Sequence, residues 1–329
     1  MSSRFRHLIR VLIAALWTAA VGAAEPTGTL LVVNKGGDSV TMLDLSDGRE
    51  LAELPTGRGP HELVVSADGR LAVVTDYAGG NSLTVIDVAA RRVVRTVDLA
   101  DYPRPHGIAF MPDGDRVVVT SEATDKIVFV RTSDGAVTGS IDTGAGGSHM
   151  LAITADGSRV FTTNMRSDSV SEIDVAAGER IRVYPTPGQP EAIAVTPDGA
   201  EIWVGSNAEG SLSVIRTDDA TIETVADGFG WPYRILISAD GNTVLVPDLK
   251  HSVLRAFERA TGKELPGLKL PGAGPQGLVL HPDERLLFLS LNRQNRVAVI
   301  DLKRWTITRY LNTGSRPDGI GYTTVGPGS

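Results

Sequence analysis

The chain of 329 residues contains no cysteine. Disulfide bonds, thiolate metal sites, covalently attached c-type haem and a lipid-modified N-terminal cysteine are therefore excluded. Aromatic residues make up only 5% of the chain, which argues against a stacking platform for single-stranded nucleic acid, because such platforms need exposed rings. Beyond the N-terminal segment no apolar run approaches the length of a membrane span. Stability is thus expected to come from packing alone.

The first 24 residues have the composition of a signal peptide. Arg4, Arg6 and Arg10 form a basic region, residues 11–21 form a short apolar stretch, and small residues precede Glu25. We expect cleavage there, a periplasmic or secreted protein, and one domain over residues 25–329 with no membrane span. An uncleaved membrane anchor is the alternative, although the stretch is short for a bilayer.

The expected mature chain is acidic. It carries 29 Lys and Arg against 39 Asp and Glu, a net charge of −10. Binding to a nucleic-acid backbone is driven by Lys and Arg that release counterions, so we expect no nucleic-acid partner. The 36 glycines and 18 prolines suit a fold with many tight turns.

A turn motif recurs at nearly constant spacing. Its aspartates are 45, 43, 42, 42 and 43 residues apart, at Asp68, Asp113, Asp156, Asp198, Asp240 and Asp283. Asp-Gly between apolar runs is a strong hairpin signal, because glycine accepts the positive φ of the turn. Each period contains four short strand-like segments, and about 43 residues is the length of one propeller blade.

Seven predicted inner-strand starts indicate an all-β, seven-bladed propeller, expected to be a monomer. They are His61, His106, His149, Glu191, Tyr233, Gln276 and Asp318. The last copy has no room for three more strands, whereas residues 30–34, 40–45 and 49–54 supply three at the other end. The N- and C-terminal strands are therefore expected to close the last blade together, which removes an open edge.

Several segments resemble the YVTN-type propeller repeat, namely residues 83–88, 169–175 and 297–302, with 105–109 and 190–194. The resemblance covers residues 28–323 and implies the seven-bladed fold. The wider group is similar in fold to haem-d1 nitrite reductase domains, quinoprotein amine dehydrogenase subunits, lactonases and surface-layer proteins. Their activities differ, so the resemblance selects no function.

Three of the five histidines in the expected mature chain occupy one repeat position, in consecutive blades. Neutral imidazole is the commonest transition-metal ligand, and a carboxylate follows at the next ring position. We predict a Zn²⁺ or Cu²⁺ site whose ligands are His61, His106, His149 and Glu191. Nitrous oxide reductase is similar in gathering histidines around a propeller for copper, although it uses many more. Alternatively, each histidine hydrogen-bonds a neighbouring loop without a metal.

Other side chains at the same channel mouth are predicted to bind a ligand. They are Tyr233, Gln276, Asp318, Asp76, Glu122, Asn164, Trp231 and Arg104. We expect a binding or scaffold propeller whose mouth takes a metal, a small molecule or a protein partner. One alternative is a metal-dependent enzyme (lactonase, lyase or redox protein) on the same ring, with Glu62, Glu122 or Asp76 as base. Another is a haem-d1-type protein with a ring histidine as axial ligand.

Overall fold

The protein is a seven-bladed β-propeller. A computed structural model describes residues 26–326, and within them 28 strands form seven four-stranded sheets, here named blades A to G. The predicted architecture is thereby confirmed. The predicted signal peptide, residues 1–24, lies outside the described residues. From residue 26 to residue 326 no helix is long and apolar enough to cross a bilayer.

The blades follow one another along the chain, and each is listed from its inner to its outer strand. Blade A contains β28 (Pro317–Thr323), β1 (Thr29–Asn34), β2 (Ser39–Asp44) and β3 (Glu50–Pro55). Blade B contains β4 (Pro60–Val65), β5 (Leu71–Asp76), β6 (Ser82–Asp87) and β7 (Arg92–Asp98). Blade C contains β8 (Pro105–Phe110), β9 (Arg116–Ser121), β10 (Lys126–Arg131) and β11 (Val137–Asp142). Blade D contains β12 (Ser148–Ile153), β13 (Arg159–Asn164), β14 (Ser169–Asp174) and β15 (Glu179–Pro185).

The remaining blades keep the same order. Blade E contains β16 (Pro190–Val195), β17 (Glu201–Ser206), β18 (Ser211–Arg216) and β19 (Ile222–Ala226). Blade F contains β20 (Leu236–Ile237), β21 (Thr243–Asp248), β22 (Val253–Glu258) and β23 (Glu264–Lys269). Blade G contains β24 (Pro275–Leu280), β25 (Leu286–Leu291), β26 (Arg296–Asp301) and β27 (Thr306–Asn312), with a single 3₁₀ turn at Asn292–Gln294.

The core lies between neighbouring blades. The second and third strands are apolar and almost wholly buried, as in β5 and β6, because sheets cover both of their faces. The fourth strands are largely exposed, because they form the outer edge: β7 alternates between exposed and partly buried residues, and β15 is exposed at all but one position. Leu31 and Val33 of blade A pack with Val74 and Ile86 of blade B in one such interface.

The recurrent turn joins the first two strands of a blade. Asp68 Oδ1 accepts hydrogen bonds from Ser66 Oγ at 2.6 Å and from the Arg70 amide at 3.0 Å. Gly69 takes the positive φ, +73°, that the turn requires. These contacts explain why the aspartates recur, since each caps its own turn.

Both ends of the described chain meet in blade A, as predicted. β28 pairs antiparallel with β1, with Thr323 opposite Thr29 and Ile320 opposite Val32. Thr29 Oγ1 also donates a hydrogen bond of 2.7 Å to the Val325 carbonyl. The ring is therefore closed by strands almost a whole chain apart in sequence.

Blade F departs from the repeat. The regular spacing predicted an inner strand from Tyr233, but β20 contains only Leu236–Ile237. Pro247 in β21 has no N–H to donate to an inner strand, so the Tyr233 amide bonds its carbonyl (3.0 Å) and Pro232 forms an isolated bridge with Asp248. In the other six blades the strand begins one residue before the ring position, at Pro60 for example.

Candidate functional site

The seven ring residues meet around the channel, and each is less than 8% exposed. They surround the floor of a cavity of about 580 Å³, which we call the mouth. Eight of the twelve predicted site residues line the mouth: His61, Arg104, Glu122, His149, Glu191, Trp231, Tyr233 and Gln276. The other four, His106, Asp318, Asp76 and Asn164, are fully buried.

The three ring histidines form a stack. The His106 ring centroid lies 3.7 Å from that of His149 and 4.2 Å from that of His61. Neither ring nitrogen of His106 has a hydrogen-bond partner among the described residues. Burial, and then the neighbouring His149 and His61 rings, hold the pKa of His106 well below its usual value. His106 is therefore a neutral imidazole that keeps an unshared lone pair.

The two outer histidines of the stack each contact a carboxylate. His149 Nδ1 lies 2.9 Å from Glu122 Oε2, which also accepts a hydrogen bond of 2.6 Å from Tyr77 Oη. Arg104 contacts both Tyr77 and Glu122. Burial alone would raise the pKa of Glu122, but its bonds to His149 and Tyr77 outweigh burial and hold it at about 2. An ionised Glu122 can only accept a hydrogen bond, so His149 Nδ1 donates in this contact.

The other carboxylate, Glu62, bonds His61 Nδ1 at 3.0 Å and forms an ion pair with Arg234. Burial raises the pKa of Glu62, but Arg234 and His61 lower it further, to about 2. Blades B and F are not neighbours, so this pair crosses the channel. Both residues follow the ring position directly, where the other blades carry Gly107, Met150, Ala192, Gly277 and Gly319.

The remaining ring carboxylates already have donors. Glu191 Oε2 accepts hydrogen bonds from Asn207 Nδ2 at 2.6 Å and Trp231 Nε1 at 2.8 Å. Its Oε1 lies 3.5 Å from Arg234 Nη1 and 3.9 Å from His149 Nε2. Asp318 Oδ2 accepts from Tyr233 Oη at 2.9 Å and from Lys35 Nζ at 3.4 Å.

The four predicted metal ligands thus lie close together, but not all of them belong to one compact set of ligand atoms. Among the described residues, one set of candidate ligand atoms belongs to His61, Glu62 and His106, all within 4.8 Å of one another. This set contains two of the four predicted ligands and replaces His149 and Glu191 with Glu62. The predicted metal site remains a prediction.

Asp76 and Asn164 do not line the mouth, contrary to their predicted ligand-binding role. Asp76 Oδ2 accepts hydrogen bonds from Ser82 and Thr84 of the adjacent strand, at 2.6 and 3.0 Å. Asn164 donates to Ser169 and Ser171 in the same way. These side chains point into their own blade, where they pair with the third strand. Burial raises the pKa of Asp76 to about 6.

The side of the mouth formed by blades A and G is cationic. Lys35, Arg293 and Arg316 line it, and the structure gives Arg293 and Arg316 no carboxylate partner among the described residues. The opposite side, from blades B to E, carries the histidines and their carboxylates. Arg293 and Arg316 come from the segments that follow β25 and precede β28, at equivalent ends of two adjacent blades.

Comparison with known proteins supports the propeller. Residues 114–227 match the YNCE-like beta-propeller family model, which agrees with the resemblance to propeller repeats in the sequence. A 6-phosphogluconolactonase from Enterobacter sp. (strain 638) is 31% identical over 127 residues, 36% of this chain. The match spans 38% of that relative's length.

Solved structures with low sequence identity share the fold alone. Hydrazine synthase from Kuenenia stuttgartiensis superposes with a TM-score of 0.74 and 20% identity, over 83% of this chain and 92% of that one. A protein from Lactobacillus plantarum superposes with a TM-score of 0.76 and 15% identity, over 91% of this chain and all of the other.

Proposed function

We propose that this propeller binds a small organic anion at its mouth. The observation that carries the proposal is the pair Arg293 and Arg316, which line the cavity beside Lys35 without carboxylate partners of their own. Glu122 and Glu191, on the opposite side, already accept bonds from protein donors. The charged side chains at this cavity that remain available to a ligand are therefore positive, although the chain as a whole is acidic.

The size and lining of the mouth favour a metabolite rather than a macromolecule. A cavity of about 580 Å³ lies within the range of small-molecule sites. Guanidinium groups bind carboxylate and phosphate groups in a bidentate manner, so two arginines that line one cavity suit either group. Trp231 and Tyr77 supply ring faces that cover an apolar or sugar-like body.

Calorimetric titration tests the proposal with 6-phosphogluconate, gluconate and glucose as probes. We expect affinity to rise with ligand charge and to fall with added salt, because the arginines are exposed. Arg293→Gln combined with Arg316→Gln should weaken binding of 6-phosphogluconate about 10- to 100-fold. Arg92→Gln, on the outer strand β7, is the matched control and should bind as wild type does. Equal binding of glucose and 6-phosphogluconate by wild type would refute the proposal.

The second candidate is a lactone hydrolase, which the His149–Glu122 pair favours. Because Glu122 holds Nδ1, the Nε2 atom of His149 is free to accept a proton from water. That water attacks the lactone carbonyl, the ring C–O bond breaks, and the proton passes to the departing alkoxide. The product is an acid, whose carboxylate suits the cationic side. The local identity to a 6-phosphogluconolactonase points to the same substrate class.

Acid release from δ-gluconolactone and its 6-phosphate, followed by titration at constant pH, tests this candidate. His149→Gln should lower kcat by about 100-fold or more, because it removes the base. Glu122→Gln should lower kcat with little change in KM, while Arg293→Gln should chiefly raise KM for the phosphorylated lactone. His251→Gln, at an exposed histidine outside the mouth, is the control. A rate equal to spontaneous hydrolysis would leave only the binding function.

We also propose that the protein acts in the periplasm or outside the cell, on the composition of residues 1–24. Mass spectrometry of the native protein should find its N-terminus near Glu25. An intact N-terminus on a cytoplasmic protein would overturn this location.

A further inference from the structure

We propose that the channel binds one Zn²⁺ or Cu²⁺ ion at the floor of the mouth, through His61, His106 and Glu62. This ligand set differs from the ring set that the sequence predicts, because Glu62 takes the place of His149 and Glu191. Its ligands do not include Arg293 or Arg316, which carry the proposed anion binding, so either proposal can fail without the other.

The geometry of the three side chains supports a single ion. Their candidate ligand atoms lie within 4.8 Å of one another. Metal–nitrogen and metal–oxygen bonds of about 2.0–2.2 Å require tetrahedral ligand atoms to approach to about 3.4 Å, so a movement of about 1 Å completes the site. Two imidazoles and one carboxylate suit Zn²⁺ and Cu²⁺, whereas Ca²⁺ and Mg²⁺ prefer all-oxygen sites.

A second and independent observation is the state of His106. The side chain is fully buried, yet both ring nitrogens lack a partner among the described residues. A buried polar group without a hydrogen bond is destabilising, and such groups are rare in folded proteins. A metal ion on one nitrogen would satisfy it, in a position where the flanking His61 and His149 rings fix the imidazole plane.

The surrounding charges favour a cation. Glu62, Asp318 and Glu191 face the channel against two cations, Lys35 and Arg234. Lys35 contacts His61 Nε2, and Arg234 contacts Glu62. A metal ion bound by these two side chains would compete with both cations.

Titration of EDTA-treated, desalted protein with ZnCl₂ or CuSO₄ in a calorimeter tests the site. We expect one ion per chain for wild type. His106→Gln should bind at least about 100-fold more weakly, since losing even an outer-shell partner costs up to that factor. Lys35→Met should bind about tenfold more tightly, because a competing positive charge is removed from beside the ion. His251→Gln, at an exposed histidine outside the proposed ligand set, is the matched control and should leave affinity unchanged.

The Lys35 variant keeps the proposal testable if His106→Gln fails to fold. Unchanged or weaker binding by Lys35→Met would overturn the proposed site, as would a folded His106→Gln variant that binds like wild type. Electron paramagnetic resonance of the Cu²⁺ complex gives a further readout. Hyperfine coupling to two nitrogens supports the set of His61 and His106, whereas coupling to none would refute it.

Discussion

Asp76 offers a direct test of how the burial of a carboxylate affects the stability of this fold. Its carboxylate is fully buried at the end of β5, and burial raises its pKa from 3.8 to about 6. The equivalent residues of blades A and D are Asn34 and Asn164, and each donates to two hydroxyls of the next strand. Ser82 and Thr84 occupy those two positions beside Asp76. Asp76→Asn should therefore reproduce an arrangement that the chain already uses twice.

The expected gain follows from the pKa. A group whose pKa is raised in the folded state binds its proton more tightly there, so its stabilising contribution is complete below pH 3.8. That contribution is lost as the pH rises through 6. The rise from 3.8 to about 6 corresponds to about 3 kcal/mol at pH 7. Asp76→Asn should accordingly raise the free energy of unfolding by about 1–3 kcal/mol at pH 7 and by little at pH 4.

Urea denaturation at pH 4 and pH 7, followed by circular dichroism, measures the effect. Asn164→Asp is the matched control, because it places a carboxylate in the same position of blade D. It should lose stability at pH 7 and recover part of it at pH 4. A destabilised Asp76→Asn protein at pH 7 would show that the carboxylate is stabilised by contacts that outweigh its burial, and would refute the reasoning.

Three further predictions concern the ring and its closure. Arg234→Met should lower the free energy of unfolding, measured by urea denaturation, by about 3–5 kcal/mol, because it leaves Glu62 charged and buried. An equal loss in the double variant Glu62→Gln/Arg234→Met would contradict that explanation. Gly319→Ala should lower the free energy of unfolding by about 1–3 kcal/mol, since its Cβ would lie 2.5 Å from the His61 carbonyl oxygen. Gly139→Ala is the control, because its Cβ would meet nothing within 4 Å. Similar losses in the two variants would count against close packing of the inner strands. Deletion of residues 316–329 should abolish the cooperative thermal transition measured by circular dichroism, because β1 loses its partner; a monomer that melts like wild type would disprove closure by β28.

The repeat made the fold predictable, because every blade solves the same burial problem with the same turn. Seven evenly spaced ring positions located the channel, and the unpaired strands at residues 30–54 indicated how the ring closes. Blade F was the exception. Pro232 and Pro247 stand where hydrogen-bond donors are needed, and the regular spacing concealed their effect on the inner strand.

The site was less predictable, because side-chain direction changes between adjacent positions of a strand. Asp76 and Asn164 stand at the mouth end of their strands but point into the blade. Arg234 was missed, although the sequence carried a signal for it. It shares a repeat position with Glu62, and five other residues there are small or uncharged. Two opposite charges in such a position indicate a pair that meets across the channel.

Because β28 closes the ring, blade A cannot be completed until the end of the chain has been synthesised. The edge of β1 that accepts β28 is made about 290 residues before its partner. At about 5–20 residues per second, the chain carries this unpaired edge for about 15–60 s of synthesis. If blade A begins to fold during synthesis, the edge of β1 stays exposed until the last strand emerges, and a chaperone or an export factor that holds the chain unfolded would prevent this.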